Sequence, residues 1–383
     1  MLPTLFHAES ASNADMFAAS GFLSGDPFDC LIDGEQITLL VGGFEGPRAL
    51  RESRASEVLV DTDLGQAELI ERGLSADALA RELTLRLVQR AGARELTVPE
   101  WLPVALADHL RAAGIELQIG SDLMAGRRRR KAGADLASVI EAQRVTEGSM
   151  ARICELLRTA TPDASGALEL DGEPLTSERV HGEIRELWAR EGCEGGTPIV
   201  AGGIQSADGH ELGHGPLRAG EPIVCDLFPR HVAGRHHADM TRTFCVGEVP
   251  AQLAEMHAAC CEALAATRAM LRPGIVGAVL NAKMCEVFRR RGFGSQLYPS
   301  ASIEGARRAV CNHGLGHGVG LEIHEQPGLG RTGISPFVVG DAVTIEPGLY
   351  DPAFGGVRVE DLCLITEDGA RTLTSFPYGL GVR

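Results

Sequence analysis

The sequence predicts an α+β protein of two domains, in which a smaller α/β domain precedes a larger one that alternates helices with β-hairpins. Two observations support this. The chain has 383 residues, which is enough for two domains that each bury a core. Two helices followed by a hairpin with acidic residues occur twice, once before and once after about residue 250. This repeated layout predicts that the second domain has two similar halves whose acids face each other.

The composition excludes several classes of protein. Hydrophobic residues make up 44% of the chain and charged residues 23%, which is typical of a globular protein. The net charge of −16 argues against a nucleic-acid partner. No apolar run approaches the roughly 20 residues that a membrane span requires, and no secretory signal is recognisable. The ten cysteines form no CxxC pair, so we expect free thiols in the reducing cytoplasm.

The first domain is predicted from short strands and amphipathic helices. Asp33-Gly34-Glu35 separates two apolar runs and indicates a hairpin over residues 28–41. Further strands are expected at 58–60, 95–98 and 115–119, and helices at 76–91 and 102–113. The basic run Arg127 to Lys131, interpreted as a solvated junction or helix entry, marks the boundary. The predicted domains are therefore residues 1–127 and 128–383.

The second domain repeats a helix–helix–hairpin order. Thr176 is a predicted N-cap. Helices are expected at 134–159, after 177, at 250–271 and at 276–291, and strands at 198–201, 223–228, 240–246, 343–345, 357–359 and 362–365.

Four acidic residues stand in or beside the apolar strands of this domain. Asp226 and Asp239 flank the tip of the first hairpin, and Glu346 and Glu360 repeat the arrangement in the second. Facing residues of an antiparallel pair have a constant index sum, so we expect each pair of acids to lie side by side. Like charges repel there unless a cation bridges them. Salt bridges to nearby arginines are the alternative explanation.

A glycine-rich segment with His313, His317 and His324 lies between the two hairpins. Its glycines let the backbone and ligands approach each other closely. One imidazole with several carboxylates is a ligand set that suits a divalent metal such as Mn²⁺, Co²⁺, Zn²⁺ or Fe²⁺. It does not fit a closed, cysteine-rich structural zinc site. The predicted metal ligands are Asp226, Asp239, His317, Glu346 and Glu360.

Competing active-site motifs are missing from the sequence. His324-Glu325 is not followed by the second histidine of an H-E-x-x-H zinc motif. Neither a G-x-S-x-G elbow nor a P-loop occurs. The sequence therefore gives no support for a serine or cysteine nucleophile.

The combined motifs resemble a known family, the dinuclear metallopeptidases that include methionine aminopeptidase, prolidase, aminopeptidase P and creatinase. The similar segments are His313-x-x-x-His317-Gly318-Val319-Gly320-x-x-x-His324-Glu325, Asp239-Met240-Thr241-Arg242-Thr243-Phe244, Ile345-Glu346-Pro347-Gly348 and Arg358-Val359-Glu360-Asp361. The resemblance implies a pita-bread catalytic domain of two pseudo-symmetric halves. By its layout and its Ala19-Ser20-Gly21-Phe22 stretch, the first domain resembles the creatinase-like N-terminal domain of the prolidase and aminopeptidase P branch.

The resemblance also implies roles for the metal ligands. Asp226 would bind one metal, His317 and Glu346 mainly the other, and Asp239 and Glu360 would bridge both. A water bridging the two metals would attack the peptide carbonyl.

Three other side chains acquire roles in the same way. Glu346 would also act as the proton shuttle. His324 is similar to the histidine that binds the substrate and stabilises the intermediate. Arg358 is similar to the arginine that orients the neighbouring acids or the substrate carboxylate.

Two departures from the family pattern stand out. The segment between Asp226 and Asp239 is two residues longer than usual, which preserves pairing parity and predicts a larger lip at the mouth of the site. That lip would contain His231, Arg235, His236 and His237.

The second departure concerns the family's other active-site histidine, which usually follows a proline. Here Gly209 precedes His210, and His214 lies four residues further on. Position relative to Asp226 favours His210 as the catalytic and substrate-binding residue, and His214 stays the alternative.

The predicted function is hydrolysis of the bond before proline by a metallopeptidase that binds two divalent ions, with Mn²⁺ as the first choice. Whether it is a Xaa-Pro dipeptidase or an aminopeptidase is left open. The alternatives are another metal-dependent aminopeptidase, such as methionine aminopeptidase, or a creatinase-like hydrolase. The expected partners are a proline-containing peptide and a second copy of the chain in a homodimer, with no nucleic acid and no membrane.

Overall fold

A computed structural model describes residues 2–382 of the chain. The chain divides after Arg128 into two compact units. Within the described residues, none of the helices is long and apolar enough to cross a membrane. The ten cysteines are free thiols, and eight of them are buried.

The first unit is built on a six-stranded mixed sheet. In spatial order its strands are Glu57–Val60, Gln36–Val41, Phe28–Asp33, Thr4–Ala8, Glu95–Pro99 and Glu116–Gly120. The predicted hairpin is confirmed, since Asp33 pairs with Gln36 across the Gly34 turn. The strand Thr4–Ala8 was not predicted. It is short and lies inside the sheet, where pairing on both sides stabilises it.

Helices flank this sheet and bury leucine-rich faces against it. Their bounds are Ala14–Ser20, Gly46–Glu52, Gln66–Glu71, Ala76–Arg90, Val104–Ala112 and Ala125–Arg128, with a 3₁₀ turn at Asp61–Leu64. Ser75 caps the longest of them by accepting a hydrogen bond from the backbone N–H of Ala78 at 3.4 Å. Leu69, Leu87, Val88 and Leu96 are examples of the fully buried core.

The second unit contains the two predicted helix pairs. The helices are Gly133–Thr159, Ser177–Arg190, Ala251–Arg268 and Gly277–Arg290, with 3₁₀ turns at Gly203–Ala207 and Ser300–Ser302. The predicted N-cap is confirmed, because the hydroxyl of Thr176 accepts from the backbone N–H of Arg179 at 3.2 Å.

Three small sheets follow or separate these helices. The first joins Ile199–Gly202, Ile223–Leu227, Met240–Val246 and Gly381–Val382. The second joins Gly294–Ser295, Val310–Cys311, Gly348–Asp351 and Gly355–Arg358, and the third joins Ala342–Ile345, Asp361–Thr366 and Gly369–Thr372. A further small sheet of three strands contains Thr161–Pro162, Leu168–Leu170 and Glu173–Pro174. A two-stranded sheet pairs Cys193–Glu194 with Arg230–His231.

Each half of the second unit has its own apolar core. One core gathers side chains such as Met150, Ile184 and Trp188 beneath the first sheet. The other gathers side chains such as Met256 and Phe288 beneath the second hairpin. The predicted α+β class, with two helix–helix–hairpin halves, is confirmed.

Of the two interpretations of the basic run at the boundary, the structure supports a helix entry rather than a solvated junction, because the helix Gly133–Thr159 begins two residues after Lys131. The guanidinium of Arg129 donates to both carboxylate oxygens of the fully buried Asp341, at 2.9 and 2.7 Å. Lys131 is 4% exposed and forms an ion pair with Glu325. The sequence shows a dense run of positive charges, but it does not show that the buried acids Asp341 and Glu325 lie close enough to pair with two of them.

Candidate metal centre and active site

The first hairpin brings its two acids side by side, as expected, although they are not directly opposite each other. Thr241 pairs with Asp226, and Met240 pairs with Leu227. Asp239 therefore lies just before its strand, diagonal to Asp226 and on the same face, where the two carboxyls contact each other. The two acids are offset by two residues of register, and the isolated pairing of Arg230 with His237 continues the same register toward the tip.

The second hairpin does place its acids opposite each other. Ile345 pairs with Asp361 and Gly348 pairs with Arg358, so the same register puts Glu346 across from Glu360. Glu360 is 2% exposed.

Glu360 also reaches the first half of the unit. Its backbone N–H donates to the carbonyl of Thr241 at 3.0 Å, and its carboxylate accepts from the Thr241 hydroxyl at 2.8 Å. Glu360 is thus held where the two halves meet.

The glycine-rich segment runs alongside the strand Ala342–Ile345. The backbone N–H of His317 donates to the Thr344 hydroxyl at 3.1 Å, and the N–H of Thr344 donates to the His317 carbonyl at 2.8 Å. An added Cβ at Gly316 would lie 2.3 Å from the carbonyl oxygen of Thr344. Glycine at 316 therefore allows the close approach that fixes His317.

The imidazole of His317 faces the carboxylates. Its Nδ1 lies 3.1 Å from the Gly318 carbonyl, which favours the tautomer with the proton on Nδ1. Its Nε2 then points to Asp239 Oδ2 at 3.6 Å and to Glu346 Oε1 at 3.4 Å. A lone pair directed at two acids is stable only if a proton or a cation lies between them.

Two observations fit a cation there. Ligand atoms of Asp239, His317 and Glu360 all lie within 4.8 Å of one another. Within the described residues, Asp226 Oδ1 and Asp239 Oδ1 are buried carboxylate oxygens without a hydrogen-bond partner. Such atoms are costly to bury unless a ligand satisfies them.

Without a cation, the pKa values of three of these acids are raised. Burial, and then repulsion from Glu360, raise the pKa of Asp239 well above its usual range, and the same causes raise the pKa of Glu346. Burial and the neighbouring Asp226 raise the pKa of Glu360 to about 8. Burial lowers the pKa of His317 to about 4. Divalent metals bind deprotonated carboxylates and neutral imidazole, so this donor set suits them.

All the predicted site residues line one cavity of about 500 Å³. They are Asp226, Asp239, His317, Glu346, Glu360, His210, His324 and Arg358. Among the described residues, His214 does not line it.

Arg358 is engaged by the protein itself. One terminal nitrogen of its guanidinium donates to Asp226 Oδ2 at 2.8 Å. The other donates to the Tyr350 hydroxyl at 2.9 Å, and Nε donates to the Thr241 hydroxyl at 3.2 Å. The Arg358 side chain therefore orients Asp226 and leaves its unpartnered oxygen facing the cavity.

Tyr350 and His313 belong to the same polar wall. The Tyr350 hydroxyl lies 3.0 Å from His313 Nε2, and His313 Nδ1 lies 2.7 Å from the Gly314 carbonyl. Tyr350 is not among the site residues predicted from the sequence. A signal was available, because Glu346, Tyr350, Arg358 and Glu360 all occupy even positions of one hairpin and so share a face.

Apolar residues form the rest of the cavity wall. Ile199, Leu212, Phe228 and Ile323 contribute to it. No sequence pattern marked them, since they come from four separate segments.

The hairpin tip does not form the expected histidine-rich lip. Within the described chain, His231, Arg235, His236 and His237 are not among the residues that line the cavity. His231 lies 3.0 Å from the Ser138 hydroxyl, His236 is 4% exposed, and the backbone N–H of His237 donates to the Gly320 carbonyl. These side chains and backbone groups are therefore engaged by other parts of the protein.

Comparison with known proteins gives a consistent result. Residues 137–367, more than half of the chain, match the model of metallopeptidase family M24. A Xaa-Pro dipeptidase from Pyrococcus furiosus is 31% identical over 226 residues, which are 58% of this chain and 60% of the relative. An uncharacterized peptidase, YqhT, from Bacillus subtilis is 34% identical over 182 residues, which are 48% of this chain and 47% of the relative. The chain therefore spans less than two thirds of the length of these two relatives.

Solved structures match over nearly the whole chain. An X-Pro aminopeptidase from Thermotoga maritima superposes with a TM-score of 0.79 at 21% identity, covering 100% of this chain and 98% of that one. A prolidase from Pyrococcus furiosus gives 0.75 at 22% identity, covering 98% and 97%. At this level of identity, the superpositions establish the fold.

Proposed function

Because the chain belongs to metallopeptidase family M24 and has the pita-bread fold, we propose that it is a Xaa-Pro peptidase that hydrolyses the peptide bond before proline. Membership of the family implies divalent metal ions. The observation that carries the proposal is the convergence of Asp239, His317 and Glu360, joined by Asp226 and Glu346, in one cavity. We take residues 1–127 as the N-terminal domain and residues 128–383 as the catalytic domain.

Two divalent ions, Mn²⁺ first, are proposed at this centre. Asp226 would hold one and His317 with Glu346 the other, while Asp239 and Glu360 would contribute to both. The unpartnered oxygens of Asp226 and Asp239 support this assignment. When bound, such ions lower the pKa of water and stabilise negative charge that develops on a peptide carbonyl.

The protein side chains handle the proton and the substrate. We propose that the Glu346 carboxylate, 3.4 Å from His317 Nε2, accepts a proton in the cavity and passes it to the departing amine. His324 and His210 line the same cavity and are proposed to donate hydrogen bonds to the substrate. Arg358 is proposed as the residue that orients Asp226.

The apolar residues of the cavity wall suit a proline ring, which brings an apolar surface and no backbone N–H. Recognition by shape then distinguishes proline from flexible residues at the second position. The expected cytoplasmic location and homodimer stay predictions, and light scattering would measure a dimer as twice 40.6 kDa.

A peptide-release assay tests the function. Purified protein, stripped with a chelator and reloaded with Mn²⁺, should release the first residue from Xaa-Pro or Xaa-Pro-Yaa peptides, whereas peptides with alanine in place of proline serve as the control. A Met-Ala-Yaa peptide tests the methionine aminopeptidase alternative. The proposal fails if proline peptides remain intact with Mn²⁺, Co²⁺, Zn²⁺ and Fe²⁺ in turn.

A further inference from the structure

Lys131 and Glu325 form an ion pair that is buried to an unusual degree. Only 1% of the Lys131 side chain and 4% of the Glu325 side chain are exposed, although the residues are 194 positions apart in the sequence. An ordinary pair in this protein, Lys283 with Glu286, leaves 32% and 42% exposed. Burying both charges is costly, so the pair is not explained by stability alone.

The lysine end of this pair is firmly anchored. The backbone N–H of Lys131 donates to the Gly340 carbonyl at 3.1 Å. Two residues earlier, Arg129 is fixed by its two hydrogen bonds to Asp341. The helix Gly133–Thr159 begins two residues later. The ammonium group therefore projects from a rigid part of the backbone.

The glutamate end is anchored in the glycine-rich segment. The backbone N–H of Gly318 donates to the Glu325 carbonyl at 3.0 Å, and the N–H of Glu325 donates to the Gly318 carbonyl at 2.9 Å. The Glu325 carboxylate packs over Gly320, where an added Cβ would lie 2.3 Å from Oε1. Gly318 directly follows the proposed metal ligand His317.

His324 is the residue that this anchor controls. Glu325 forms an isolated antiparallel bridge with Gly318 and buries its carboxylate, whereas the adjacent His324 is exposed and lines the cavity. The ring of His324 meets that of His317 edge-on, with centroids 4.3 Å apart. Within residues 2–382 the His324 ring makes no hydrogen bond of its own. Its position therefore depends on the backbone that carries it, which is held at the next residue, Glu325.

We propose that Lys131, acting through Glu325, is a positioning residue that holds His324 in place over His317 in the active-site cavity. Its kinetic consequences rest on the proposed peptidase function. Lys131 touches neither the cavity nor the predicted ligands, and it acts by fixing the segment that presents His324.

Replacing Lys131 with methionine, which keeps the length of the side chain and removes its charge, takes away the cation that pairs with Glu325. We expect kcat for a Xaa-Pro-Yaa peptide to fall by about 10- to 100-fold, with a smaller change in KM, because a displaced catalytic group mainly affects the transition state. K131R, which keeps the charge, should recover part of the loss. K283M, at the exposed pair, is the matched control and should behave like the wild type.

A coupling measurement separates positioning from general stability. When K131M is added to H324A, kcat should fall by less than about 3-fold relative to H324A alone, because the imidazole that Lys131 positions is already absent. If the two losses multiply, Lys131 does not act through His324 and the proposal is overturned. E325Q carries the same test if K131M does not fold.

A crystal structure of K131M or E325Q gives a readout that does not depend on activity. The proposal expects the His324–His317 centroid distance to change from 4.3 Å, and an unchanged ring position overturns it. If wild-type protein cleaves no proline peptide, the proposed function fails, and the crystal structure still tests the positioning role.

Discussion

Single oxygen atoms give the most direct argument for a metal centre in this protein. Asp226 Oδ1 and Asp239 Oδ1 are buried without a partner among the described residues. Three neighbouring carboxyl groups have raised pKa values because they are buried next to one another. One guanidinium, that of Arg358, cannot offset four acids, and it is already shared with Tyr350 and Thr241. Divalent cations would supply the missing charge.

Removing one of the two acids proposed to bind both metals should therefore empty the site. We expect D239N and E360Q each to lower metal content below half of the wild-type value and to reduce kcat by about 100-fold or more. Metal content is measured by mass spectrometry after dialysis against Mn²⁺. E304Q, at an exposed glutamate, is the control. Full activity in either ligand variant would rule out the proposed centre.

The two candidate histidines of the 210–214 segment can be separated in the same way. His210 lines the cavity, whereas His214 lies outside its described lining. We expect H210A to lower kcat/KM by roughly 100-fold, the scale of a lost hydrogen bond to a developing charge, and H214A to change it by less than about 3-fold. Steady-state kinetics on one Xaa-Pro-Yaa peptide decides this, and the reverse order would transfer the role to His214.

At the scale of elements, the register of two hairpins and one glycine-rich segment brings the site together. The strand pairs on either side of Glu346 and Glu360 belong to two different sheets but keep the same pairing register. These two acids therefore face each other. His317 is added to this arrangement only because the glycine-rich segment can run against the strand Ala342–Ile345. The close contact at Gly316 is the step that permits this.

A methyl group at position 316 should disrupt that contact. G316A places a Cβ against the Thr344 carbonyl, so we expect a loss of about 3 kcal/mol in the free energy of unfolding together with weaker metal binding. Denaturant titration and metal titration measure the two effects. G328A is the matched control, since a Cβ there meets no atom within 4 Å. Equal stability of the two variants would contradict this account.

For the whole molecule, the carboxylates of the site make stability depend on metal and pH together. In the metal-free protein, the pKa of Glu360 is about 8 in the folded state against 4.5 for an ordinary glutamate. The folded state then binds more protons than the unfolded state between these values. This contribution is fully present below pH 4.5 and is lost as the pH rises through 8.

We therefore expect chelator-treated wild type to lose stability, relative to E360Q, as the pH rises from about 5 to about 8. Adding Mn²⁺ should reverse the trend, because metal binding requires deprotonated ligands and strengthens as the pH rises. Denaturant melts at several pH values, with and without metal, measure both. A wild-type-to-E360Q difference that does not vary with pH would contradict the raised pKa.

Much of the architecture could be predicted from local pattern. The Asp33-Gly34-Glu35 turn, the Thr176 cap and the two helix pairs follow from turn chemistry and helical periodicity, which act over a few residues. The central strand Thr4–Ala8 was missed because five residues with one histidine carry little periodic signal. The prediction of a histidine-rich lip was wrong because the sequence shows which residues lie at a hairpin tip but not the direction in which the tip packs.

The sequence by itself determined the donor chemistry of this protein, that is, which acids and histidines stand in apolar strands and in which order. The tertiary structure decided how these groups meet. It set the register that offsets Asp239 from Asp226 by two residues, and it paired the Arg358 guanidinium with Asp226. It also formed the hydrogen bond from Thr241 to Glu360 and buried the ion pair between Lys131 and Glu325. The physical reason is distance along the chain. Periodicity and turn residues report on neighbours, whereas each ion pair or hydrogen bond named here joins residues more than 100 positions apart, and only packing of the complete fold brings them together.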